Sequence, residues 1–431
     1  MMKIKTNTFF PVFLIILFCI RAYVSMGVDY FILPYAYNAQ KIFVFAGIVL
    51  VLYSLYRLKY YHFEKKDILC YLMLIVMIFW NNYDLKNGEY YRAFSFITVI
   101  IMYLCFPNIK KYEWRQAFLT ITVFIGCFYA FFTIMTFLSP SLYSAISNVL
   151  QPYNPHYNLM SYYQSGYMAG ITSHYTANGI FLQIGAISTA AYVFADNERK
   201  TTKRIYVFVF LCILFSLLIS GKRAHTIFTI VACIFVYFFE KRDRKFSRIF
   251  YFACSIVLSI VVIIVMSNYV PELLNVVNRF IETKESGSLL SGRDLLQKQL
   301  YSIISENLLI GVGWAWFPYN NLISPGDYAH NVYLQLLGEL GIIGSIPFLG
   351  FFLVSVLRGI KCIVNIRKTK KDVKKEEIIL LSSAIGYQLV FLLYCSSGNP
   401  LYDYVCYFTY FVWCAIQESI IYSIKDRYGR F

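Results

Sequence analysis

The sequence predicts an all-α protein, a polytopic transmembrane helical bundle of about twelve spans with amphipathic helices along its external face. Three observations carry that prediction. Of the 431 residues, 59% are hydrophobic and 14% charged, whereas soluble domains are nearer a quarter charged. Apolar runs on the scale of the ~20 residues that cross a bilayer as helix recur throughout. The basic residues gather in short segments between those runs, the pattern that orients a membrane protein.

Twelve spans follow in order, at 9–28, 41–57, 68–80, 92–106, 117–138, 176–195, 204–220, 224–239, 249–268, 331–357, 378–397 and 402–423. The first comes after Met1-Met2-Lys3-Ile4-Lys5, which has the charge of a signal peptide but no small-residue cleavage site after its apolar run, so it is expected to remain as an uncleaved span. The third is short enough to be re-entrant, and 331–357 is long enough to bend at Pro347. With the N-terminus inside, 29 of the 39 Lys and Arg lie in inner segments, including the Lys-rich loop 367–375. Both termini are then expected in the cytoplasm. The whole chain, 1–431, reads as a single integral-membrane domain. Its external face carries the polar segment 139–175, the tight turn 221–225 and the main external loop 268–330.

A formal charge of +16 would point to nucleic acid in a soluble protein. Here the cations set topology and face lipid headgroups, so membrane lipids are the expected partner and no nucleic acid is. The inner loops hold no nucleotide fingerprint, and no ATP-driven step is expected. Eleven cysteines without CxxC spacing lie in or beside apolar segments and read as small buried hydrophobes.

The external residues carry the functional reading. In Ser220-Gly221-Lys222-Arg223 two cations sit on the side that the positive-inside bias disfavours. Lys222 can snorkel to lipid phosphate, whereas Arg223 in so tight a turn marks a site. Arg293, in Ser291-Gly292-Arg293-Asp294, would occupy the first turn of an amphipathic helix whose apolar stripe is Leu296, Leu300, Ile303 and Ile304. Ser291 with Asp294 would form the capping box. A cation there opposes the helix dipole by roughly 0.3–1 kcal/mol, which either a bound phosphate or Asp294 would offset. Farther on, Asn331, Gln335 and Glu339 recur every fourth residue, beside Gly338, Gly341 and Gly344 at every third. One helix face is thus polar and lines a cavity, while the next is small enough for close packing. His330 stands at the mouth of that cavity, either as an ordinary hydrogen-bonded residue or as a base.

These motifs, Ser220-Gly221-Lys222-Arg223, then Ser291-Gly292-Arg293, then Gly311-Val312-Gly313, then His330-Asn331-Val332-Tyr333-Leu334-Gln335 through Gly344, resemble the bacterial O-antigen polymerase and O-antigen ligase superfamily over roughly 216–350. The resemblance implies a membrane glycosyltransferase of GT-C type acting on undecaprenyl-diphosphate-linked oligosaccharides at the outer face of the inner membrane. It implies that Arg223 and Arg293 hold the donor diphosphate and that His330 lies near the acceptor hydroxyl. Lys222, Asn331, Gln335 and Glu339 are the substrate-binding candidates beside them. A chain-length regulator and a flippase are the protein partners it implies. The upstream stretch Gly166 to His174 fits the family pattern only loosely, so His174 and Asn178 receive no role.

Transfer from a lipid diphosphate needs no further activation, because the diphosphate is itself the leaving group. Two always-charged, bidentate arginines suit that charge, and neither a cofactor nor a metal is expected, since the external face has no Asp-x-Asp or clustered ligand set. A polymerase is favoured by the modest external loop and the absence of a large soluble appendage. The alternatives are a ligase that transfers the glycan to lipid A-core or protein, and a transporter of a solute or lipid-linked sugar. A transporter should carry inverted repeats and polar groups at the membrane midplane, whereas here the polar groups crowd the external face.

Overall fold

The structure is a computed structural model that describes residues 6–23, 47–50, 52–53, 56, 63–81, 90–109, 113–150, 158–195, 200–240, 264–274, 277–278, 281, 293–369 and 373–429. These residues form helices and the turns between them, with no strand among them. In chain order the helices are α1 (Thr6–Tyr23), α2 (Asp67–Phe79), α3 (Tyr90–Cys105), α4 (Glu113–Leu138), α5 (Pro140–Leu150), α6 (Leu159–Gln164), α7 (Tyr175–Phe194), α8 (Lys200–Ile219) and α9 (Arg223–Glu240). They continue with α10 (Arg293–Glu306), α11 (Trp316–Asn320), α12 (Val332–Thr369), α13 (Lys375–Cys395) and α14 (Tyr404–Tyr428).

Among the described residues six helices, α4, α7, α8, α9, α12 and α13, are long and apolar enough to cross a membrane. They coincide with six of the expected spans. The segments 9–28, 68–80 and 92–106 fall on shorter apolar helices, and most of 41–57 and 249–268 lies outside the described residues. The last, 402–423, falls on α14, where Gln417, Glu418 and several tyrosines dilute the apolar character. That helix can afford them because it runs through the middle of the bundle, buried from Val405 to Ile421 and packed against α1, α3, α12 and α13. A helix buried on all sides shows no amphipathic stripe.

A second group, α4, α7, α8 and α9, packs around α7 and meets the helices around α14 through α13 and through α1 against α4. Gly126 of α4 and Gly185 of α7 face each other so closely that a Cβ on either would strike the backbone of the other, the close approach that small residues permit between membrane helices. None of the ten described cysteines is in a disulfide.

At one end of the bundle charged groups tie α2, α12 and α14 together. Arg358 donates to both oxygens of Glu418, at 2.9 and 2.7 Å, and to Glu64 at 2.8 Å. Lys66 lies 3.3 Å from Glu418 and 3.2 Å from Asp67, and Lys425 donates to Glu64 at 2.8 Å. Glu418 is fully buried, so its removal takes a buried carboxylate from both Arg358 and Lys66 and leaves each with one remaining acidic partner. Breaking a buried pair from one side costs about 3–5 kcal/mol. Glu418→Ala is therefore expected to lower the thermal unfolding midpoint of the purified protein markedly, as read by tryptophan fluorescence; an unchanged midpoint would show that the cluster is dispensable.

Candidate functional site

The opposite end of α12 begins with a break. The expected bend at Pro347 is corrected by the structure: the non-helical residue is Gly341, at φ 63°, ψ −172°. A break in a helix frees backbone groups, which must find partners elsewhere. Here the segment after α10 takes them. Val312 N–H donates to the Gly338 carbonyl at 3.2 Å and Gly313 N–H to that of Glu339 at 2.7 Å, while Ile342 and Ile343 N–H reach the carbonyls of Leu308 and Leu309 at 2.9 and 3.2 Å. Gly311, at φ 73°, faces Gly341 across this seam. The apolar stripe of α10 packs beside it, with Leu300 against Gly338.

Below the seam, Glu339 is fully buried. Its carboxylate accepts from Ala315 N–H at 2.9 Å, Phe317 N–H at 3.1 Å, Gln335 Nε2 at 2.9 Å and the Tyr402 hydroxyl at 2.8 Å. Gln335, also fully buried, accepts from Ala329 N–H at 3.1 Å. Both were expected to line a substrate cavity. Their polar atoms are instead used within the protein, because four converging donors satisfy a buried carboxylate that would otherwise be prohibitively desolvated. They hold the loop 313–330 in place. Asn331 caps α12, its Oδ1 accepting from Leu334 N–H at 3.2 Å.

The loop ends on His330, which has left-handed backbone (φ 56°). Its N–H donates to Asn399 Oδ1 at 2.9 Å, and its Nδ1 lies 3.2 Å from Asn399 Nδ2. The first bond fixes which way the amide faces, so Nδ2 donates and Nδ1 accepts. The ring proton therefore resides on Nε2. Burial, together with the positive charge of Arg293 and Lys222, pushes the His330 pKa down from 6.5 to about 3. The imidazole is neutral at physiological pH and a weak base.

Arg293 opens α10, and its Nη1 donates to the Ser397 carbonyl at 2.9 Å. Lys222 stands with its ammonium 5.6 Å from the ring centre of Tyr175, within cation–π range. The charges of Lys222 and Arg293 both act on His330, although the three positions are far apart in the chain. Arg223, half-buried, is the first residue of α9, directly after Lys222. The expected capping residue Ser291 lies outside the described residues.

Two residues left without a role have structural ones. His174 caps α7, its Nδ1 accepting from Thr176 N–H at 3.0 Å, and Asn178 joins Thr133 Oγ1 at 2.9 Å to the Met168 carbonyl at 3.0 Å. What the sequence reading missed is the α13–α14 loop. Ser397, Asn399 and Tyr402 supply the contacts to Arg293, His330 and Glu339 respectively, and Asp403 caps α14 through Val405 N–H at 2.9 Å. The signal was present in Ser396-Ser397-Gly398-Asn399-Pro400, a turn-forming run between two apolar helices.

Residues 208–349 match the family model described as O-Antigen ligase. The stretch takes in Lys222, Arg223, Arg293 and the run from His330 to Gly344, so the resemblance to the O-antigen ligase and polymerase superfamily holds over the residues that carry it. Members of that family are membrane glycosyltransferase-like enzymes. A comparison with curated proteins finds no match. The O-antigen ligase match ends before Asn399, so the partner that orients His330 lies outside it.

Proposed function

We propose that this protein is a polysaccharide polymerase of GT-C type that joins undecaprenyl-diphosphate-linked oligosaccharide repeat units, at the outer face of the inner membrane, into O-antigen or capsular polysaccharide. The observation that carries the reading is that the charges of Lys222 and Arg293, from two other segments of the matched stretch, both act on His330. Arg293, with Arg223 from the neighbouring helix start, grips the donor diphosphate, and Lys222 adds a third positive charge. The acceptor hydroxyl attacks the anomeric carbon, the bond from that carbon to the phosphate oxygen breaks, and the electron pair leaves on the diphosphate. The hydroxyl proton passes to the departing diphosphate or to water. With its proton on Nε2 and little basicity, His330 serves as a hydrogen-bond donor to the charge developing on the diphosphate, and not as the base that was one of its two expected roles.

Reconstitution of purified protein with lipid-linked repeat units, without nucleotide, tests the reading. A polymerase produces ladders still attached to the lipid diphosphate and releases free lipid diphosphate. The ligase reaction is the second reading, favoured by the description of the matched family; it would give no product until lipid A-core is added. Glycan left at unit length under both conditions would sink both. Lys keeps the charge of Arg but loses its planar fork, so Arg223→Lys and Arg293→Lys are each expected to cut polymer formation about tenfold, near the ~1.4 kcal/mol of one lost charge-assisted bond. Polymer is compared at equal membrane levels of protein, and wild-type output from both variants would remove the arginines from the donor site.

A further inference from the structure

Beside the His330 loop lies a cavity of about 110 Å³, several times the ~30 Å³ share of a single water. Its wall is aromatic. Trp314 stands 4.7 Å from Tyr402 and 5.7 Å from Phe96, and Phe96 5.1 Å from Tyr407, between ring centres. Polar groups converge on the same space: Ser95 and Arg92 from α3, with Tyr328 and Tyr404 opposite. Arg92 Nη1 is 3.4 Å from the hydroxyls of Tyr319 and Tyr328.

The mixture selects its occupant. A bare phosphate would gain little from four aromatic planes, and an acyl chain would lay hydrocarbon against a guanidinium and several hydroxyls and take water from them. A pyranose presents both surfaces, with C–H faces that lie on aromatic rings and hydroxyls that meet phenols, a serine and an arginine fork. Recesses that are mostly apolar with a few convergent polar groups are the usual form of small-ligand sites. The cavity also reaches the site. Tyr402 lines it while donating to Glu339, and Tyr328 lines it two residues before His330.

We propose that this cavity binds one sugar ring of the glycan and so holds the acceptor end beside His330. The proposal rests on the glycosyl-transfer reading given above and adds the subsite for the acceptor.

The test uses the full-length protein in nanodiscs and, as probe, the free oligosaccharide released from the lipid-linked repeat by mild acid, with binding read by saturation-transfer NMR. Arg92→Gln removes the charge at a half-buried position, and Tyr407→Leu removes a stacking plane while staying apolar. Each is expected to weaken oligosaccharide binding about tenfold and to raise KM for the lipid-linked repeat by a similar factor, with kcat changed less than threefold. Wild-type affinity in both variants, or a wild-type protein that polymerises but does not bind the free oligosaccharide, would overturn the proposal. Failure of the transfer reading appears separately, as wild-type protein that leaves the lipid-linked repeat at unit length, and the oligosaccharide affinities then still decide the cavity.

Discussion

Gly341→Ala is expected to abolish accumulation of the folded protein. At φ 63° a Cβ is strained by about 1–3 kcal/mol on its own, and here it would also be driven into the backbone of Leu309 and Ile310. Backbone cannot give way as the end of a side chain can, so the seam between α12 and the 308–313 segment would have to part. With it go the bonds from Val312 and Gly313 to Gly338 and Glu339, and those from Ile342 and Ile343 to Leu308 and Leu309. Strain together with several lost backbone hydrogen bonds exceeds about 4 kcal/mol, the range reserved for specific structural failures. The measurement is the yield of monodisperse protein after membrane extraction, compared with Gly429→Ala, where a Cβ would meet nothing. Equal yields would show that the helix break is not required.

The contrast between that seam and the rest of the bundle shows what the sequence could carry. Apolar runs announced α4, α7, α8, α9, α12 and α13 because a helix that crosses a membrane needs about 20 mostly apolar residues. The glycines at 338, 341 and 344 announced close packing, and Gly338 does receive α10. The position of the break was not legible, since proline is the stronger local signal and only the facing Gly311 makes Gly341 the residue that must bend. Glu339 was read as lining a cavity because three of its four donors, Ala315, Phe317 and Tyr402, lie 22 to 63 residues away in sequence, beyond any periodic pattern. The same holds for the site. Lys222, Arg293 and His330 were recognisable as unusual residues, one by one. The loop that holds Arg293 and His330, 396–403, looked like an ordinary turn, because its importance lies in pairings made only after α13 and α14 have packed.

Asn399→Asp is expected to reduce transfer by 10²–10³ at pH 7.5 and to reverse its response to acid. In the wild type Asn399 accepts the His330 backbone N–H with Oδ1 and donates to the ring at Nδ1. An aspartate keeps the first bond but replaces the donor with a second acceptor. The ring must then put its proton on Nδ1, and Nε2 is left bare. Loss of a hydrogen-bond donor aimed at developing charge costs about 10²–10³ in rate. The added carboxylate also favours the imidazolium, so the His330 pKa rises from about 3 towards the neutral range. As pH falls through that raised pKa the ring gains a second proton and Nε2–H returns. Activity of the variant should therefore recover on acidification, whereas wild-type kcat/KM shows no His330 titration near 6.5. A general base gives the opposite signs, because the aspartate would strengthen it and acid would silence it. Activity of the variant that is retained at pH 7.5 and lost as pH falls would return His330 to the role of base.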